Sequence, residues 1–211
     1  MKRSIHWIFV LLFLPLSTMA AEEGFEYQAI SPPVDVSQSE DSGKVEVIEM
    51  FFYGCPHCFR AEPVVNKWLK TKPDFVHFTR IPAIFRDSWE PLARAFYVAK
   101  ALGVLERIHE PLFNSIHIKR QKNFTKETIR AFFVSQGVSG ADFDKTYNSF
   151  QVANQIARAR DLGKRFKIQG VPSFVVDGQW RTNGTMAGGL ENIPEVLDTL
   201  IRKQSAVQTS N

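Results

Sequence analysis

Val47-Ile48-Glu49-Met50-Phe51-Phe52-Tyr53-Gly54-Cys55-Pro56-His57-Cys58 sets a strand directly against the start of a helix, with two cysteines at the junction. Residues 45–52 are mostly β-branched and aromatic, the composition of a strand covered on both faces. Tyr53-Gly54 breaks the strand, and Pro56 suits a first helical turn, where its missing N–H has no intrahelical partner anyway. Apolar spacing continues through Val64, Val65, Trp68 and Leu69, with Pro63 an expected kink. Lys72-Pro73-Asp74 ends this helix, and residues 75–81 read as a second strand.

Beyond residue 89 the pattern is helical without strands. Residues 91–102, 105–116, 125–136, 141–150 and 153–166 each show apolar spacing near 3.6, separated by Gly103, a polar run at 119–123, Gly137 and Gly140. Near Gly170 strand character returns at 173–176, and Asp177-Gly178 is a hairpin signal. Residues 193–203 form a closing helix with Asn192 as its expected cap, and 204–211 read as a frayed polar tail. Residues 21–44 are polar and Pro/Ser-rich, with a turn signal at Asp41-Ser42-Gly43. The order strand–helix–strand, helical block, hairpin and helix describes an α/β domain carrying a helical insertion.

The N-terminus reads as a cleaved export signal over residues 1–20. Lys2 and Arg3 precede an apolar stretch too short to span a bilayer, and Thr18 and Ala20 supply the small residues of a cleavage site. Removing Lys2 and Arg3 lowers the formal charge from +4 to +2, so charge says little about partners. Lys and Arg form no run longer than two, which argues against a nucleic-acid surface. Eighteen Phe permit a substantial core or an apolar surface.

The chain has two cysteines, Cys55 and Cys58. An exported protein stapled by disulfides would carry several pairs, and a bridge across so small a loop removes little chain entropy. The pair is therefore read as chemical. Cys55, at a helix start, faces unsatisfied N–H groups and the positive end of the helix dipole, both of which favour the nucleophilic thiolate. Cys58, one turn further in, is the expected resolving thiol, and a charged or donating His57 ring would favour the Cys55 thiolate further. Two cysteines fall short of a zinc ligand set, and His77, His109 and His117 form no ligand pattern; each is read as a core or surface histidine. No haem attachment site is present, because Phe59 stands where His is required. No metal or cofactor is expected.

With Ala101-Leu102-Gly103-Val104, Pro111-Leu112-Phe113 and Gly170-Val171-Pro172 following in order, the chain resembles the DsbA family of periplasmic thiol:disulfide interchange proteins within the thioredoxin superfamily. The resemblance implies a thioredoxin-like fold (residues 21–84 and 164–203) with an inserted all-helical domain (85–163). It also implies a redox-active Cys55–Cys58 disulfide tuned by Pro56 and His57, and a cis Val171–Pro172 bond facing it, where Val171 and Pro172 meet an extended client. Glu49 corresponds to a buried acid that relays protons to Cys58, although alternation alone would permit an exposed face. Glu62 matches a family acid, with an exposed helix charge as its rival, and Arg80 stands where relatives often carry Lys. The implied activity is oxidation of cysteine-containing clients in the periplasm by a monomer, re-oxidised by a DsbB-like, quinone-linked membrane partner. An isomerase or reductase of the same superfamily is the alternative, and a redox-inactive peptide-binding chaperone a more distant one.

Overall fold

The computed structural model describes residues 21–36, 44–122 and 124–208, so the export signal at 1–20 and the turn signal at 41–43 lie outside the described residues. The sheet has the strand order β1 (Gln28–Ala29), β5 (Trp180–Asn183), β4 (Ser173–Val176), β2 (Val45–Phe51), β3 (Val76–Pro82). The interior strand β2 is buried along its whole length. It runs parallel to β3 (Val76–Pro82) and antiparallel to β4 (Ser173–Val176). The helix α1 (Pro56–Leu69) makes the crossover between the parallel pair and continues past Pro63.

Alternation along β2 divides two cores. Val45 and Val47 pack with Val65 and Trp68 of α1 and with Val196, Leu197 and Leu200 of α7 (Ile193–Gln208). Ile48 and Met50 face the opposite way, into a core shared with the helical block α2 (Glu90–Ala101), α3 (Leu105–His117), α4 (Lys126–Ser135), α5 (Gly140–Tyr147) and α6 (Phe150–Arg165). Sheet and block thus share one continuous apolar interior, with Phe51, Phe96 and Phe113 meeting edge-on or tilted at centroid distances of 5.3 to 6.0 Å. Cys58 lies within this interior and is fully buried.

Three features depart from the sequence reading. Residues 21–44 contribute a two-residue edge strand, β1 (Gln28–Ala29), paired antiparallel to β5 (Trp180–Asn183). The closing helix runs to Gln208 instead of ending at Lys203, and Gln204 is buried, donating to the Asp177 carboxylate and accepting from Gln179. Asn192 directs its side-chain amide to the Ala187 carbonyl, 3.0 Å away. The hairpin signal corresponds to a turn in which Asp177 and Gly178 both have positive φ (51° and 65°), with Gln179 N–H donating to Val176 O at 3.0 Å. That pair of left-handed residues matches the twist of the flanking strands.

Candidate active site

The β2–α1 junction places both cysteines. Cys55 is the N-cap of α1, with extended backbone (φ −88°, ψ 119°), and Pro56 follows within the first turn. Gly54 is needed just before it, because a Cβ there would lie 2.5 Å from the Phe52 ring, itself stacked on Trp89 at 3.8 Å. Both thiols are free, which is the reduced state of the pair; Cys55 is half-buried and Cys58 buried.

Their environments push the two thiols apart. Cys55 is lowered from 9.0 to about 5, first by the Cys58 thiol donating to it and then by the backbone N–H groups of Cys58 and His57, with a smaller contribution from the His57 ring. Burial raises Cys58 far above the ordinary thiol range, and its bond to Cys55 adds to this; Phe52 N–H, 3.5 Å from its sulfur, works in the opposite direction. Across the junction the Cys55 sulfur lies 3.3 Å from the Val171 carbonyl, and the Val171–Pro172 bond is cis. A cleft of about 590 Å³ runs from His57 and Arg60 past Gly170, Val171 and Pro172 to the 183–190 loop.

His57 is exposed, and its Nδ1 lies 2.9 Å from Arg60 Nη2. Guanidinium only donates, so in this contact Nδ1 is the acceptor. Arg60, which sequence reasoning passed over, is therefore the permanent cation of this rim.

Beneath the dithiol, Glu49 is wholly buried, not on an exposed face. The parallel register sets it opposite Arg80, just as Glu46 opposes His77. Arg80 Nε donates to Glu49 Oε2 at 3.0 Å, and its Nη2 reaches Glu62 Oε2 (3.4 Å) and Asn66 Oδ1 (3.1 Å). The planar guanidinium makes these contacts from two nitrogens, Nε and Nη2, held in a fixed fork, where an ammonium would have to make them from a single point. Burial raises Glu49 to about 7, with Arg80 opposing and Glu62 reinforcing the shift. Glu62 is also buried, yet bonds from His109 and the nearby Arg80 charge hold it below the usual carboxylate range. His109 is thus no bystander in the core. Its ring lies 3.3 Å from Glu62 Oε1 and 2.8 Å from the Tyr53 hydroxyl. The one signal for it in the sequence was a titratable side chain set among Ile108, Leu112 and Phe113 on the apolar stripe of its helix.

Residues 76–200 match the DSBA-like thioredoxin domain family. The thiol:disulfide interchange protein DsbA of Pseudomonas aeruginosa is 39% identical over 183 residues, 87% of this chain and 85% of the relative. The chain belongs to the DsbA family. A crystal structure of Pseudomonas aeruginosa DsbA superposes with a TM-score of 0.83 at 38% identity, covering 89% of this chain and 96% of that one. DsbA from Xylella fastidiosa gives 0.79 at 29% identity, over 86% and 96%. As a DsbA family member the chain has the thioredoxin-like fold and is a thiol:disulfide oxidoreductase.

Proposed function

We propose that this chain oxidises pairs of cysteines in exported client proteins, with Cys55 as the exchanging sulfur and Cys58 as its partner. A client thiolate attacks Cys55 of the Cys55–Cys58 disulfide; that S–S bond breaks, and Cys58 leaves as a thiolate. Glu49 supplies the proton that this buried sulfur takes up. The client's second thiolate then attacks the client sulfur of the mixed disulfide, forming the client's disulfide and releasing Cys55 as thiolate. Two electrons have moved from client to enzyme. A quinone-linked membrane oxidase resembling DsbB removes them, and the periplasm, reached through the signal at 1–20, is the compartment. The chain acts as a monomer. Clients lie extended along the cleft, where the Val171 backbone offers strand-like contacts and Pro172 presents no competing N–H.

The observation that carries this reading is the asymmetry of the thiols, one accessible and lowered to about 5, the other buried and raised. A leaving group stable as thiolate favours the reduced enzyme, and so drives electrons out of the client. Equilibration with glutathione should return a potential well above that of thioredoxin, and the oxidised chain should restore activity to a reduced, disulfide-dependent enzyme. A thioredoxin-like potential would favour the reductase alternative instead.

A further inference from the structure

Five side chains beneath the dithiol form one hydrogen-bonded series: Tyr53, His109, Glu62, Arg80 and Glu49. Disulfide exchange as described uses Glu49 alone. Two carboxylates and one permanent guanidinium leave the cluster one negative charge in excess, which is costly where water is excluded. A single proton cancels it, and two seats can hold that proton. One is Glu49, whose Oε2 is taken by Arg80 while Oε1 is buried without a hydrogen-bond partner. The other is His109. With Nε2–H donating to Glu62, its Nδ1 faces the Tyr53 hydroxyl, a group that can donate to a neutral ring or accept from a charged one.

We propose that His109 is a positioning residue for the exchange, taking up a compensating proton when Glu49 gives its own to Cys58. This rests on the dithiol reading above. The proton balance is explicit. Glu49 passes a proton to the departing Cys58 sulfur, His109 accepts from bulk solvent the equivalent of the proton that the client thiol released on ionising, and the cluster returns to zero net charge. Both transfers reverse when Cys58 is re-oxidised. The titratable and charged groups facing His109 are Glu62 of α1 and Tyr53 after β2, with Arg80 of β3 and Glu49 of β2 beyond Glu62; α2 faces it with Phe96 and its own helix with Phe113. His117, on the same helix, is directed to the Tyr53 carbonyl instead. Since α3 belongs to the helical block, the block would reach into the chemistry at the β2–α1 junction through this ring.

Two variants test it. His109→Gln can still donate to Glu62 and accept from Tyr53 but takes no proton, whereas His109→Phe does neither. Each is prepared as the Cys55 mixed disulfide with glutathione, and its resolution by Cys58, which requires ionised Glu49 as proton acceptor, is followed against pH. With the second seat removed the proton stays on Glu49, so the midpoint of the His109→Gln profile should rise by about half a pH unit or more, a threefold change in protonation ratio. The ring nitrogens of His109, followed by NMR, should titrate in the reduced protein, with a lower midpoint in Glu49→Gln, where the neighbouring negative charge cannot form. A His109→Gln profile that superimposes on the wild type, with only His109→Phe impaired, would reduce the residue to packing and overturn the proposal, as would a ring that never changes protonation. Failure of the unaltered chain to resolve the mixed disulfide would instead count against the dithiol reading.

Discussion

A thiolate at Cys55 is held by donors of unequal weight, and their order is a prediction at the level of single residues. The Cys58 S–H contributes most and the His57 ring least, because a bond aimed at the sulfur outweighs a more distant, solvated charge. Cys58→Ala should therefore raise the Cys55 titration midpoint, read from thiolate ultraviolet absorbance, by more than His57→Ser does. The reverse ranking would make the imidazole the principal support of the thiolate. Linkage fixes the pH window. Cys55 is lowered in the folded reduced protein, so its stabilisation of that form is complete above the ordinary thiol value of 9.0 and is lost as pH falls through about 5. Denaturation of reduced and oxidised protein side by side should show the gap between them closing over that interval.

Among the elements, the β4–β5 turn ties the N-terminal segment to the sheet. Val34 N–H donates to Gly178 O at 3.0 Å, and Ile30 N–H to Gln179 O at 2.7 Å. A Cβ at Gly178 would lie 1.9 Å from the Val34 carbonyl oxygen, on a residue already at φ +65°. Gly178→Ala should cost about 2 kcal/mol or more by chemical denaturation, combining left-handed strain with displacement of that segment. Gly170→Ala has nothing within 4 Å of the new methyl and no positive φ, so it should cost much less. Equal losses would show that the clash is relieved without expense. This hairpin was legible from Asp177-Gly178 because the turn's demand for two left-handed residues is local. The strand β1 was not legible, since two residues, Gln28 and Ala29, have no periodicity of their own and become a strand only by pairing with β5. Nor was the end of α7, where Gln204 looks polar in sequence but finds partners in Asp177 and Gln179.

Across the whole molecule, the same division between local and long-range signals explains the site. Cys55, Pro56 and Cys58 were legible because a strand end, a helix start and two thiols lie within a few residues. The buried cluster was legible only in part: the family resemblance pointed to Glu49, Glu62 and Arg80, but local pattern alone does not, because Glu49 and Arg80 meet only through the register of β2 with β3, and His109 arrives from a helix of the block. Such a cluster carries a cost to stability that the fold tolerates for its chemistry. Burial raises Glu49 to about 7, so the folded state favours its neutral form. The resulting stabilisation is fully present below the carboxyl's ordinary 4.5 and is lost as pH rises through about 7. Glu49→Gln keeps the shape without the charge. It should match the wild type near pH 4 and exceed it at pH 8 by up to about 3 kcal/mol, while slowing protonation of Cys58 during exchange. Urea denaturation at the two pH values, paired with exchange rates, measures both halves. A variant less stable than the wild type at pH 8 would mean that the ion pair with Arg80 outweighs the desolvation of Glu49, and that the carboxylate is present for structure.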